Sequence, residues 1–110
     1  KTLVARGAKT GINVFCIPVC CELDLKKAAK AAGDKNMELV AVKELLGLTG
    51  YIRGGCSPVG MKKKYPTFID ELCCLSDTIA VSAGERGHQM LLPPEDLIAL
   101  VDAKTADLTV

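Results

Sequence analysis

The sequence has few aromatic residues and almost no histidine. It contains no Trp, aromatic residues make up 4% of the 110 residues, and His88 is the single histidine. A core with so few rings must be packed mainly from Leu, Val, Ile and Ala side chains. A Ser/His/Asp triad would have to use His88, which stands in a predicted strand, and we favour a structural or exposed position for it.

Net charge and long apolar runs are also lacking. The formal net charge is +1, so a polyanionic partner would have to meet a local basic patch rather than a global field. No run of about 18 apolar residues predicts a membrane span, and no signal peptide is recognisable. We therefore expect neither a membrane partner nor a DNA partner.

Six cysteines are present, without any C-x-x-C spacing. Cys20–Cys21 and Cys73–Cys74 are adjacent pairs, and adjacent cysteines rarely bridge because the geometry is strained. The pattern favours free thiols in a reducing cytoplasm. Cys16 together with Cys20 and Cys21 could supply metal ligands, but no second cluster of standard spacing appears. We expect no metal and no cofactor, and a thiol-based metal or redox protein remains the weakest alternative.

Hydrophobic residues make up 49% of the chain and charged residues 25%, which is typical of one globular domain over residues 1–110. The patterns predict an α+β fold, with a mixed, strongly curved, barrel-like β-sheet and helices packed outside. Strands are predicted over residues 1–6, 12–19, 37–40, 67–70, 77–83 and 88–92, helices over 23–32, 42–48 and from Pro94, one helical turn over 70–74, and a weakly ordered tail over 103–110.

The first residues, Lys1-Thr-Leu-Val-Ala, have the pattern of a strand interior without any lead-in. We therefore expect the protein to have an N-terminal segment before Lys1. A lysine at the start of an apolar strand must also reach water, a counter-ion or a ligand, because burying an unpaired charge is strongly unfavourable.

Residues 48–70 are unusually rich in glycine and carry three consecutive lysines. Gly54 and Gly55 allow the backbone N–H groups to approach a ligand closely, and Pro58 stiffens the chain. With Lys62–Lys64 beside it, such a loop suits an anionic or carbonyl-bearing ligand. The alternative is a long connecting loop with a solvated run of charges.

The sequence contains no recognisable motif for general acid–base catalysis or for phosphate binding. No carboxylate pair, P-loop or G-x-G-x-x-G is present. Cys56 could act as a nucleophile, but no base is evident to activate its thiol, and we favour an ordinary loop thiol. Loop N–H groups that stabilise a carbonyl oxygen, with water as the nucleophile, would suit an activated ester.

Several segments, taken together, resemble one family. They are Lys1-Thr-Leu, residues 23–33 (LDLKKAAKAAG), residues 49–58 (TGYIRGGCSP), Lys62-Lys63 through Pro66-Thr-Phe-Ile-Asp70, and residues 81–87 (VSAGERG). In this order they resemble the YbaK family of aminoacyl-tRNA deacylases, which is related to the editing domain inserted in bacterial prolyl-tRNA synthetases.

The resemblance implies a trans-editing hydrolase that needs no metal and removes wrong amino acids from tRNA, chiefly cysteine or alanine from proline tRNA. In the cysteine-specific branch, the substrate's own thiol is thought to attack its ester. The implied catalytic residues are Lys1 and Gly54. The implied substrate-binding residues are Thr2, Gly55, Cys56, Ser57, Pro58, Ser82, Gly84, Arg86 and Gln89. Separately, the position of Arg53, Lys62, Lys63 and Lys64 around the glycine-rich stretch of a nearly neutral chain predicts that they form a local basic strip that binds tRNA.

Two departures from the family pattern affect this expectation. The cysteine-specific branch has an acidic residue where this chain has Gln89, and the family has a leading segment that helps to line the pocket. The resemblance implies tRNA as a partner and allows prolyl-tRNA synthetase as a second one. The alternative to an enzyme is a non-catalytic module that binds the tRNA end or a synthetase.

Overall fold

Six of the seven strands and all three helices lie where the hydrophobic patterns predict them, and the α+β class is confirmed. The computed structural model describes residues 1–110. The strands are β1 (Thr2–Gly7), β2 (Gly11–Cys16), β3 (Glu38–Leu39), β4 (Thr67–Asp70), β5 (Ile79–Ser82), β6 (Gln89–Leu92) and β7 (Lys104–Ala106); the helices are α1 (Leu25–Ala32), α2 (Val42–Thr49) and α3 (Pro94–Val101), with a 3-10 turn over Glu71–Leu75.

The strands form two sheets rather than one barrel. Five strands pair in the order β3-β1-β2-β4-β7, and β5 and β6 form a separate antiparallel hairpin. Within the larger sheet, β2 runs antiparallel to β1 but parallel to β4, and β4 runs parallel to β7. The sheet is mixed, as predicted, whereas the expected barrel-like closure is absent because the hairpin packs beside the sheet without joining its ladder.

The C-terminal residues are not the weakly ordered tail that the sequence predicts. β7 extends the sheet, and Leu108 is fully buried in the cluster that contains Phe15 and Phe68. The buried carboxylate of Asp70 accepts a hydrogen bond of 2.8 Å from the Leu108 main-chain N–H. A three-residue strand that pairs with a distant parallel neighbour has little local sequence signal, which explains the error.

The two faces of the five-stranded sheet have different neighbours, because successive strand residues alternate between faces. On one face, Phe15 and Phe68 stack with their ring centroids 5.4 Å apart, and Ala28 and Ala29 of α1 pack into the same cluster. The other face, which includes Cys16 of β2, supports the glycine-rich segment, the β5–β6 hairpin and α3. The second face therefore holds the candidate site.

The helices are short and begin or end at recognisable residues. The Asp24 carboxylate caps α1, which ends at Gly33 in the left-handed region with φ 74°. Pro94 occupies the first turn of α3, where its missing N–H costs nothing. Each helix has eight residues, and none is long and apolar enough to cross a membrane.

Asp34 organises the turn that joins β1 and β2. Its Oδ2 accepts hydrogen bonds from the main-chain N–H of Lys9 at 3.0 Å and from both the N–H and the hydroxyl of Thr10 at 2.8 Å. Desolvation opposes ionisation, but the bonds from Thr10 and Lys9 dominate and hold the pKa of Asp34 well below its usual range. A side chain at Gly7 would collide with this carboxylate.

We predict that Asp34→Asn lowers the melting temperature, because both carboxylate oxygens accept main-chain N–H bonds and an amide can replace only one of them with an oxygen. Since the folded-state pKa is depressed, the carboxylate stabilises the fold above its unfolded pKa of about 3.9, and this contribution is lost as the pH falls below that value. The difference in melting temperature from wild type should therefore be largest near pH 7 and shrink below about pH 4. Asp77→Asn, at an exposed carboxylate without a hydrogen-bond partner, is the control.

Candidate active site

One large cleft lies on the second face of the sheet, with a volume of about 830 Å³. This main cleft is enclosed by the ends of β1 and β2, part of the glycine-rich segment, the 3-10 turn and the β5–β6 hairpin. Its lining residues are Lys1, Thr2, Leu3, Cys16, Ile17, Pro18, Val19, Arg53, Gly54, Cys56, Ile69, Leu72, Cys73, Ser76, Ile79, Ala80, Val81, Ser82 and Gln89. Its volume is in the range of small-molecule sites.

The floor of the main cleft is a row of side chains on three neighbouring strands. Thr2 of β1 pairs in register with Cys16 of β2, which pairs in register with Ile69 of β4. The Thr2 hydroxyl and the Cys16 thiol are 3.8 Å apart. Because directly paired strand residues point to the same face, these three side chains lie side by side beneath the opening.

The thiols of the cleft are neutral. Burial raises the pKa of Cys16 to about 12, and its hydrogen bond with Thr2 offsets only part of this effect. Burial also raises the pKa of Cys56 and of Cys73. A thiol nucleophile needs a lowered pKa, so these three side chains behave as small apolar groups.

Both charged side chains that line the cleft are cations, Lys1 and Arg53, and no Asp, Glu or His lines it. The main chain of Lys1 pairs with that of Ile17 through two hydrogen bonds. The Lys1 nitrogen donates to the Ile17 carbonyl at 2.6 Å, and the Ile17 N–H donates to the Lys1 carbonyl at 3.0 Å. Its side-chain ammonium has no acidic partner. The strand therefore fixes the backbone of Lys1 while its charge remains available to an anionic or carbonyl-bearing ligand.

The glycine loop, residues 50–66, lines the main cleft with Arg53, Gly54 and Cys56, and the main-chain N–H of each has no hydrogen-bond partner in the protein. Gly54 has φ 87°, a conformation that favours glycine, and its N–H has no hydrogen-bond partner in the protein. The N–H of Gly55 instead donates to the carbonyl of Ile52 at 3.0 Å. The geometry of Gly54 therefore suits the expected ligand contact, whereas the N–H of Gly55 is already occupied.

The β5–β6 hairpin holds the glycine loop in place. The Ser82 hydroxyl donates to the Gly55 carbonyl at 2.9 Å, and Arg86 Nε donates to the Arg53 carbonyl at 2.9 Å. A Cβ at Gly55 would lie 3.3 Å from the main chain of Glu85 and Arg86, which is tighter than ordinary contact. The hairpin turn therefore sits directly against the loop because Gly55 has no side chain.

The other end of the glycine loop is held by α2 and by the loop itself. Thr49, at the end of α2, donates to the Leu45 carbonyl at 2.8 Å and accepts from the Tyr51 N–H at 3.0 Å. The hydroxyl of Tyr51 donates to the carbonyl of Val59, and that of Tyr65 donates to Leu48 at 2.7 Å. The loop is thus bonded at both ends, which keeps Gly54 in a fixed position.

The structure brings together seven of the residues that the sequence implicates. Those that line the main cleft are Lys1, Thr2, Arg53, Gly54, Cys56, Ser82 and Gln89. Five residues predicted to bind substrate lie outside its lining, namely Gly55, Ser57, Pro58, Gly84 and Arg86, and their role in substrate binding stays a prediction. Several of them make internal or hairpin contacts that hold the glycine loop in place. Ser57, for example, is buried and its hydroxyl accepts from the Val59 N–H at 3.2 Å.

The four predicted tRNA-binding cations do not form one strip with the main cleft. Arg53 lines the main cleft, whereas Lys63 and Lys64 line a second, smaller cleft of about 200 Å³. Lys62 has its aliphatic stem against Gly50. The Lys64 ammonium lies 3.7 Å from the Asp102 carboxylate, both exposed. Lys62–Lys64 thus form a separate basic group within the glycine loop, away from the main cleft.

Sequence reasoning does not find several lining residues, namely Cys16, Ile69, Leu72, Cys73, Ile79 and Val81. The sequence suggests Cys16 only as a metal ligand, but no group of three or more His, Cys, Asp or Glu side chains is arranged to hold a metal ion. The alternation of side chains along β2 and β4 could place Cys16 and Ile69 on one face, but only the strand pairing shows that this face is the cleft.

The fold and the cleft together define an editing domain, and the chain belongs to the family described as the aminoacyl-tRNA editing domain, whose model matches residues 1–100. A similar protein from Enterococcus faecalis, strain ATCC 700802 / V583, bears the name Cys-tRNA(Pro)/Cys-tRNA(Cys) deacylase EbsC. It is 51% identical over 109 residues, which cover 99% of this chain and 66% of that protein. The chain thus spans just under two thirds of the length of this relative.

Solved structures show the same fold. A crystal structure described as a trans-editing enzyme for prolyl tRNA synthetase is 31% identical, with a TM-score of 0.90, and the match covers 100% of this chain and 69% of that one. A second crystal structure, of a protein called APE2540, has a TM-score of 0.91 at 24% identity over 100% and 73% of the two chains. At that identity the likeness concerns the fold alone.

Gly55→Ala tests how the hairpin holds the loop. The added methyl group would press against the main chain of Glu85 and Arg86, so we predict a loss of about 1–3 kcal/mol in the free energy of unfolding. Urea unfolding measures this loss, and limited proteolysis detects release of the loop. Gly47→Ala, in α2 where the space is open, should instead be neutral or stabilising by about 0.5–1 kcal/mol. Equal behaviour of the two variants would contradict the close packing.

Proposed function

We propose that this chain is the editing domain of a trans-acting hydrolase that deacylates mischarged aminoacyl-tRNA, with cysteine or a similarly small amino acid on proline tRNA as its substrate. The observation that carries the proposal is the main cleft. An unpaired lysine before β1 and a glycine N–H without a partner both line a cleft that is otherwise built largely of apolar groups and thiols. Membership of the editing-domain family supports it.

The residues of the cleft suit ester hydrolysis by charge stabilisation. Negative charge develops on the carbonyl oxygen as the ester is attacked, and the Gly54 N–H is available to donate to that oxygen. A fixed backbone donor of this kind typically contributes about 100-fold or more to the rate. The Lys1 ammonium is a compact cation suited to the oxygens of the terminal ribose-phosphate or of the ester itself.

The nucleophile must come from solvent or substrate, because the cleft offers no side-chain base. No carboxylate or imidazole lines it, and Cys16, Cys56 and Cys73 are held as neutral thiols. Water can attack an aminoacyl ester because the ester is already activated. For a cysteinyl substrate, attack by its own thiol on the ester carbonyl, with release of the tRNA hydroxyl, is a second route. Gln89 also lines the cleft, but its amide cannot act as a base in either route.

The proposed substrate also determines the partners and the compartment. Aminoacylated tRNA is the partner that the family implies. Arg53 at the cleft and Lys62–Lys64 farther along the glycine loop are its proposed contacts. The relative called a Cys-tRNA(Pro)/Cys-tRNA(Cys) deacylase and the structure described as a trans-editing enzyme for prolyl tRNA synthetase support proline tRNA, and association with that synthetase, as the specific proposal. Such a substrate places the protein in the cytoplasm.

Lys1→Ala in the full-length protein tests this function. We expect the deacylation of Cys-tRNA(Pro) and Ala-tRNA(Pro) to fall at least about 100-fold, because the cation assigned to the ester region is removed, while the melting temperature stays near that of wild type. Single-turnover hydrolysis of radiolabelled substrates gives the rates. Lys9→Ala, which removes an exposed lysine from the distant β1–β2 turn, is the charge-matched control and should retain full activity.

Two outcomes would contradict the proposal. A folded Lys1→Ala variant with a near-wild-type rate would show that this lysine is structural. A wild-type protein that binds tRNA but hydrolyses neither substrate would be a binding module rather than an enzyme.

The contribution of Lys62–Lys64 to tRNA binding can be measured separately. Changing all three to Ala should weaken tRNA binding and reduce the slope of log affinity against log salt by up to about 0.7 for each phosphate that the variant no longer neutralises. The matched variant changes Lys26, Lys30 and Lys35, which are exposed on and just after α1, and removes the same formal charge. If both triple variants have the same salt slope as wild type, Lys62–Lys64 are only a solvated run.

A further inference from the structure

We propose that Cys16 determines which amino-acid side chains the main cleft accepts, by setting the depth of its floor. This inference rests on the proposed deacylase function and names a residue that the resemblance did not implicate. Cys16 is the central member of the floor row, between Thr2 on one side and Ile69 on the other. Its side-chain volume therefore decides how much space lies beneath the reacting ester.

The surroundings of Cys16 leave it little freedom to move. It is 5% exposed, and Ile69 beside it and Leu97 of α3 in the same cluster are fully buried. Its thiol is 3.8 Å from the Thr2 hydroxyl, and both strands are paired through this register. Since a packed interior does not yield easily to an added methyl group, the floor has a defined depth.

Other cleft residues are less suited to this role. Leu72 and Val19 are 46% and 80% exposed, so they can swing away from a larger ligand. Cys73 lies in the 3-10 turn and is partly exposed. Cys56 is buried, but it stands on the glycine loop close to Gly54 and belongs to the cluster of Val4 and Val14. Cys16 alone among the cleft thiols combines burial with a position in the centre of the sheet.

The chemistry of the floor limits the class of side chain it can hold. A thiol with a pKa of about 12 is neutral at physiological pH, and its neighbours are an aliphatic chain and a hydroxyl. The floor therefore accepts a small uncharged side chain, such as a methyl or a thiol-bearing methylene. It offers no partner to a charged one, whose burial would be strongly unfavourable.

The experiment compares hydrolysis rates for one tRNA carrying glycine, alanine, cysteine or leucine, using the full-length protein under single-turnover conditions. Cys16→Ala deepens the floor, and we expect the leucine-to-alanine rate ratio to rise at least 10-fold, since one methylene changes such ratios by about 10–200-fold. Cys16→Val adds bulk, so the cysteine-to-alanine ratio should fall by a similar factor. Cys16→Ser keeps the size and should leave the order of substrates unchanged.

Val14→Ala is the matched control, because Val14 is also fully buried on the same face of β2 but does not line the cleft. It should lower stability without changing any rate ratio. If Cys16→Ala changes all four rates by one common factor, or behaves as Val14→Ala does, Cys16 is only a packing residue and the inference is wrong. If the wild-type protein hydrolyses none of the four esters, the proposed function itself has failed.

Discussion

Burial of β2 on both faces is the constraint on which the rest of this structure depends. Phe15 points into the core beneath α1, while Val14 and Cys16 point to the opposite face. Because β2 pairs antiparallel with β1 and parallel with β4, it also fixes the two strands that complete the cleft floor. A shift of β2 by one residue would exchange its two faces, and both the core and the cleft would be lost together.

The glycine loop illustrates how a chain with few functional side chains can still build a site. The groups it offers are main-chain N–H groups, which nearly every residue has, and the role proposed for Gly54 depends on its being held at the cleft. Bonds to Ser82 and Arg86 on one side, and the Thr49–Tyr51 contacts on the other, provide that rigidity. Several residues around Gly54 thus hold the backbone of the glycine loop in place.

Much of the fold can be read from local patterns, and the reason is physical. The predicted β4 coincides with the observed strand, and the helices begin within about two residues of their predicted starts, because amphipathic spacing and capping residues are local signals. β7 escapes prediction because its pairing with β4 is non-local. For the site, the resemblance is enough to propose Lys1 and Gly54. The packing of Gly55 and Arg86 that holds the glycine loop in place is visible only in the structure. A sequence motif does not show which of its residues line a cleft and which support the backbone.

The hydrogen bond between Asp70 and Leu108 has a consequence for the order in which the molecule is made. Leu108 packs in the same cluster as Ala5 of β1 and Phe15 of β2, so these two strands cannot complete their core during synthesis until Leu108 has also left the ribosome. Contacts of such long sequence separation are slow to form. Translation therefore passes through an interval in which the apolar face of the β1–β2 hairpin is only partly covered, and exposed apolar surface of this kind is what chaperones bind.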